Sequence, residues 1–253
     1  MNLLESLFRW IHVVAGIIWI GHLYFFNWVN AVFAPTMDAE TKKKVVPELM
    51  PRALFWFRWG AAFTWVTGVL LLMMVYYHGG LLFADPSAGW GLTTFIMIAI
   101  TFLGVFIYDA LYSGPLKDPT TGFWGGAVIA TVVACLFAWV GGFSFRSYAI
   151  HLGSALGTTM AFNVWFRIWP AQQKIITATK SGAAPDAALV ALAGTRSKHN
   201  TYMSVPLVFM MMAQHATWAA DPTFGPIILG IVVLVGWALV YHLYDRSKKV
   251  PGF

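Results

Sequence analysis

Arg9-Trp10-Ile11-His12 and, ten residues on, Trp19-Ile20-Gly21-His22 place two imidazoles inside one apolar run, from about Leu3 to Phe33, with no charged residue after Arg9. An imidazole in hydrocarbon must find a partner or lose several kcal/mol, so an ionisable side chain at membrane depth marks a functional site by default. His151 and His215 fall in later apolar runs, and a rise of about 1.5 Å per residue brings them and His12 to within a few turns of one surface. Histidines at a similar depth on three helices are what a bis-histidine haem b needs, because the iron takes neutral imidazole nitrogen from opposite faces. Gly16, Gly153, Ser154 and Gly157 lie beside His12 and His151, where their lack of bulk gives a flat macrocycle room. His22 is deeper and with His199 offers a second, inner site; His78 is interfacial. The alternative for each histidine is a hydrogen bond to a backbone carbonyl across a helix interface.

A second set of polar residues gathers toward the opposite side: Asn27 and Asn30, Arg58, Asp109, Asn163 and Arg167, then His199 and Asn200. Such a set suits a cavity admitting a polar anionic substrate, with arginine as the planar bidentate clamp. The alternatives are a structural Arg58–Asp109 ion pair and an Arg167 that snorkels to the interface. Trp56, Trp59, Trp169 and Trp218 suit an aromatic belt.

The elements that carry these residues must cross a membrane. Of 253 residues, 59% are apolar and only 10% charged, and the mean hydropathy is +0.69, the signature of an integral membrane protein. Apolar segments near 5–33, 52–77, 91–112, 122–142, 147–170, 200–219 and 224–244 are each about the ~20 residues a crossing takes. The fold class expected is therefore all-α: one polytopic domain over residues 1–253, a bundle of about seven transmembrane helices. Met1-Asn2-Leu3-Leu4-Glu5 lacks a basic stretch and a cleavage site, so the first segment reads as a retained helix.

The net charge of +6 points to no nucleic acid, because the basic residues fall in alternate loops. Lys42, Lys43, Lys44 and Arg52, then Lys117, then Lys174, Lys180, Arg196 and Lys198, and finally Arg246, Lys248 and Lys249 form one side; the loops around Gly79–Trp90 and Trp218–Gly225 have none, and Gly141–Ser147 has only Arg146. The positive-inside rule then sets the N-terminus outside and the C-terminus in the cytoplasm. The single Cys135 excludes a disulfide framework, a C-x-x-C-H haem attachment and a zinc ribbon. Pro206 should kink the sixth helix, residues from Pro185 should form a short surface helix, and Gly79–Gly91 should be irregular. A weak echo between the first and fifth helices, Arg9/His12/Asn27 and Arg146/His151/Asn163, fits a parallel repeat.

Five segments together are similar to the membrane domain of the bacterial membrane-bound urate oxidase (urate hydroxylase) family: Leu7–Gly21 with His12 and Trp19, Phe55–Trp59 with Thr64–Gly68, Tyr108-Asp109, His151–Phe166 with Pro170–Lys174, and Arg196–Tyr202 with Pro206 and His215. The first pattern alone is shared by several haem-associated membrane families; the set of five is specific. The resemblance implies hydroxylation of urate to 5-hydroxyisourate in a bacterial inner membrane. It implies haem b, one or two, on His12, His151, His215 and His22, with Arg58, Asp109, Asn163, Arg167 and His199 lining the substrate or proton path. The family joins this domain to a C-terminal cytochrome c; this sequence has no C-x-x-C-H, so a separate cytochrome c or other redox subunit is the expected electron acceptor. His22 stands where the family has a small residue, which suggests an additional ligand. A haem b electron-transfer subunit of a larger respiratory complex is the alternative, and a non-redox transporter or assembly factor the third class.

The orientation is directly testable. A reporter active only in the periplasm, fused at Phe253, is expected to be silent and a cytoplasm-active one to work; the reverse would invert the depth of every histidine.

Overall fold

The computed structural model describes residues 3–252, so Met1, Asn2 and Phe253 lie outside it. Seven long helical stretches follow one another among the described residues: α1 (Leu3–Thr36), α2 (Ala39–His78), α3 (Leu92–Ser113), α4 (Pro119–Val140), α5 (145–181), α6 (Ala187–Met212) and α7 (Gly225–Ser247). Five of them, α1 to α4 and α7, are long and apolar enough to cross a membrane. What separates α5 and α6 is polarity with a place to go. Ser147, His151, Thr158, Thr159 and Asn163 on α5 are buried, as are Arg196, Asn200, Thr201 and Ser204 on α6. A helix face shielded from lipid can hold polar groups that a lipid-facing one cannot.

Packing divides the chain into two compact units. One comprises Met1–Gly68, Met160–Tyr202 and Leu239–Phe253, the other Val69–Thr159 and Met203–Ala238. In the first, α1 lies against α2 at Gly60, where an added Cβ would sit 3.0 Å from the Trp19 amide nitrogen and 3.2 Å from the Ala15 carbonyl oxygen. Two backbones approach that closely only where the residue between them has no side chain. In the second, Gly230 lies on Thr131, Gly126 on Tyr112 and Trp237, and Gly236 on Pro206. The Gly79–Gly91 connection is irregular, as its composition implies, and it is tied to the α4–α5 turn. Ala84 donates to Gly142 O at 2.9 Å and Ser144 to Leu82 O at 2.9 Å, with φ of +64° at Gly142, a backbone state that glycine enters without cost. Asp118 caps α4: its carboxylate accepts from the Thr121 amide at 2.9 Å, which holds that carboxyl below its usual range.

Helix bounds differ from the hydropathy reading in two places. α2 begins at Ala39 rather than near residue 52, and is helical through Pro47 and Pro51. The i,i+4 pairs Lys44–Glu40 (3.0 Å) and Arg52–Glu48 (2.7 Å) support the helix where the prolines remove donors. α6 absorbs the expected surface helix and starts at Ala187, so His199 lies well inside it; the helix stops at Met212, and His215 falls on the exposed 3-10 turn Ala213–His215. The stop has a local cause, since the chain must turn back to start α7, where the Asp221 carboxylate accepts from the Thr223 and Phe224 amides. Pro206 sits inside α6 as anticipated. Among the described residues four π-helical stretches occur: Phe25–Asn30 and Asn163–Ile168 interrupt α1 and α5, and Leu72–His78 and Leu136–Val140 close α2 and α4. Such widened turns are rare and frequently occur at functional sites.

Gly60→Val drives a branched side chain into the α1 backbone. It is expected to lower stability by about 1–3 kcal/mol, the usual cost of overpacking, read as a lower unfolding temperature in detergent. Gly21→Val, at a position with nothing within 4 Å, should leave that temperature unchanged.

Candidate functional site

Arg58 is the most unusual of the expected site residues. Its guanidinium carbon lies 3.9 Å from the centre of the Trp169 ring, with Trp165 at 5.8 Å and Phe55 at 5.9 Å. The Trp165 indole donates to the Arg58 carbonyl at 3.1 Å and stands edge-on to Trp59 at 5.5 Å. Among the described residues Arg58 makes no ion pair, and its Nε is buried without a hydrogen-bond acceptor. The guanidinium thus rests on ring faces, a favourable contact of ~0.5–2 kcal/mol that leaves the Nε–H donor unmet. Both tryptophans come from the π-helical turn of α5 and the residue after it. Trp169, expected at the lipid interface, instead packs on this arginine.

Several other polar side chains of this unit make hydrogen bonds between helices. Asn163 donates to Asn200 Oδ1 at 2.9 Å, and Asn200 donates to Met160 O at 3.0 Å; both side chains are fully buried, so the amides bind α5 to α6. Asn27 donates to Leu23 O at 2.9 Å and Ser197 Oγ at 2.8 Å and accepts from the Tyr244 hydroxyl at 2.8 Å, joining α1, α6 and α7. Arg167 lies 5.4 Å over Phe162 and donates to Phe166 O, beside a Phe166 that is 62% exposed, as a snorkelling side chain would. Arg196, taken from the sequence as a loop charge, is only 3% exposed on α6. His199 is half-buried on the same helix.

The histidines share one chemical habit. His12 Nδ1 lies 3.2 Å from Thr67 Oγ1, whose own hydrogen goes to Phe63 O at 2.6 Å; the threonine must then accept, which makes His12 the Nδ1–H tautomer. His22 Nδ1 donates to Ile18 O and His151 Nδ1 to Ser147 O, both at 2.7 Å and both one turn back in the same helix. Each ring thus presents an Nε2 lone pair, the arrangement an axial haem nitrogen requires. At His12 and His22 that nitrogen engages no described residue.

The second unit holds His151, His215 and the half-buried Asp109. His151 is fully buried, ringed by Tyr76, Tyr77, Phe137 and Phe143, and its Nε2 already pairs with the Tyr77 hydroxyl at 3.0 Å. The glycines expected to make room for a macrocycle are packing contacts: a Cβ on Gly153 would meet Met210 at 2.9 Å, and one on Gly157 would meet Leu207 at 3.3 Å. Donor chemistry fits a haem ligand at His12 and His22, whereas His151 Nε2 is taken by Tyr77 and no flat slot opens at Gly153 and Gly157. In the first unit, a Cβ on Gly16 would make ordinary contact with Thr64, while one on Gly68 would sit 3.0 Å from His12 Cε1. Among the described residues no three His, Cys, Asp or Glu side chains form a metal-holding group.

The family model for the urate oxidase N-terminal region matches residues 37–251. Comparison with curated proteins and with solved structures gives no match. The matched stretch contains the Arg58 cage and His151, and begins after the helix of His12 and His22.

Thr67→Val keeps the shape of the side chain but deletes the acceptor for His12 Nδ1–H. The ring nitrogen shifts of labelled His12 are expected to show the Nδ1–H tautomer in the parent protein and its loss in the variant, with about 1–3 kcal/mol of stability lost for the unmet donor. An Nε2–H tautomer in the parent would overturn the assignment.

Proposed function

The chain belongs to the urate oxidase N-terminal family, and we propose that it is the membrane part of a urate-hydroxylating oxidoreductase. It converts urate and water to 5-hydroxyisourate and passes the two electrons to a cytochrome c or another redox subunit. The helices cross a bacterial inner membrane about seven times, with the N-terminus outside; the basic residues in alternate loops support that orientation.

The observation that carries the substrate assignment is the unpaired guanidinium of Arg58 against Trp169. Urate is a planar monoanion near neutral pH, and binding it in a low-dielectric interior needs both a compensating charge and directional donors. Arg58 supplies both. Asn163 acts from behind: its bond to Asn200 fixes the turn of α5 from which Trp165 and Trp169 project. Hydroxylation by water releases two protons, and His199, with Arg167 in the same unit, is assigned to the path they take.

Haem b is the cofactor of this reading; His12 and His22, whose Nδ1–H groups are satisfied within their own unit, or alternatively His151 and His215 in the other, are the residues that would hold it. It would supply one-electron storage between substrate and acceptor. Those same histidines favour the second reading, a haem b electron-transfer subunit without substrate chemistry of its own.

Arg58→Lys keeps the charge but loses the planar fork. It is expected to cut urate turnover by about tenfold or more, the scale of one charge-assisted hydrogen bond, while leaving the reduced-minus-oxidised haem spectrum unchanged. The readout is loss of the urate near-ultraviolet band with added cytochrome c. Intact, haem-loaded parent protein that neither consumes urate nor changes its spectrum on urate addition would replace this reading with the second.

A further inference from the structure

A guanidinium has one flat face on each side and an edge of N–H groups, and Arg58 has one face taken by Trp169. Its backbone is pinned by the Trp165 indole, so the two tryptophans fix both where the arginine starts and the plane in which it ends. A ligand cannot stack on the covered face. The N–H donors lie on the edge, and there Nε is buried without an acceptor among the described residues. The ring beside it best able to turn aside is Phe55, 5.9 Å from the guanidinium and 44% exposed.

We infer that Arg58 takes a planar organic anion edge-on through Nε–H and one Nη–H, and that Trp169 is the positioning residue that sets the plane of this fork. The inference rests on the reading of Arg58 as the substrate clamp and adds to it a binding mode and a second residue. The fork selects charge and shape together. A carboxylate or enolate-type oxyanion meets two parallel N–H groups with two acceptor sites in one plane, whereas a neutral isostere leaves the guanidinium charge uncompensated. Trp169 contributes by restricting the arginine before the ligand arrives, which lowers the entropy cost of binding. Removing it should weaken affinity without altering the chemical step.

The test uses the full chain purified in detergent, with benzoate as a planar anion that cannot be hydroxylated and benzamide as its neutral isostere. Calorimetry is expected to show benzoate binding, abolished in Arg58→Gln, and no benzamide binding. Trp169→Phe, which keeps an aromatic face, should bind benzoate within about threefold of the parent, and Trp169→Leu about tenfold more weakly, as loss of a desolvated cation–π contact implies. With urate, Trp169→Leu should raise KM by a similar factor and hold kcat within about twofold, the signature of lost uniform binding. If Trp169→Leu does not fold, Trp169→Phe and the benzoate–benzamide contrast still decide.

Benzoate binding that ignores Trp169→Leu or Arg58→Gln, equal binding of benzamide, or no benzoate binding to the parent would each overturn the fork. Urate turnover with KM unmoved by Trp169→Leu would also overturn it and leave the urate reading standing. Benzoate binding through Arg58 and Trp169 in a protein that never consumes urate would uphold the fork and remove urate as its substrate.

Discussion

Hydrocarbon offers no hydrogen bonds, so every polar atom placed at membrane depth must be answered from within the protein or carry a cost of several kcal/mol. The bundle is organised around that demand. Asn27 takes partners from three helices, Asn163 and Asn200 take each other, and Thr64, Thr67 and Thr101 each donate to a carbonyl of the preceding turn. α5 and α6 hold the greater part of these groups because their faces are turned away from lipid. The same polar residues set both helices apart from the five that are long and apolar enough to cross a membrane. Here the low hydropathy of a helix reports how well it is covered.

Much of this was legible in the sequence and some of it could not be. Hydropathy locates α1, α3, α4 and α7, because a lipid-facing helix has to be apolar nearly all round. It fails at the start of α2, where Pro47 and Pro51 read as loop signals yet stand in a helix supported by i,i+4 ion pairs. Arg196 shows a different limit: the positive-inside rule counts an arginine as a marker of side and says nothing about its burial. The glycines show how little a sequence says of who uses a missing side chain. Gly153 and Gly157 accept α6 side chains, while Gly60 and Gly68 make the close approaches around α1. Sequence shows that a side chain is missing, but not which neighbour uses the gap.

Trp169 illustrates the hardest case. A tryptophan near a helix end has the same composition whether it sits in the aromatic belt or on an arginine, and the difference lies in helical phase. The π-helical turn Asn163–Ile168 changes that phase just before Trp169. A π turn leaves no compositional trace, so a 3.6-residue projection of α5 misplaces everything after it. The same turn carries the asparagine that locks α5 to α6 and the tryptophan that pins the Arg58 backbone. One irregular turn thus fixes the register of the whole arginine cage.

Function, on this view, is to be sought in what the internal accounting of polar groups leaves over. His12, His22 and His151 each satisfy Nδ1 locally, and only His151 also satisfies Nε2, through Tyr77. Asn163 and Asn200 are consumed in holding helices together. Among the atoms left with capacity are Nε2 of His12 and His22 and Nε–H of Arg58, all in the same packing unit, beside the indole N–H groups of Trp19 and Trp28. A lone pair and a cation without an acceptor are each relieved by a partner of definite chemistry: a metal centre for the nitrogen, an oxyanion for the guanidinium. A protein that keeps both is poised to bring a redox group and an anionic substrate into one bundle, which is the pairing a urate-hydroxylating enzyme needs.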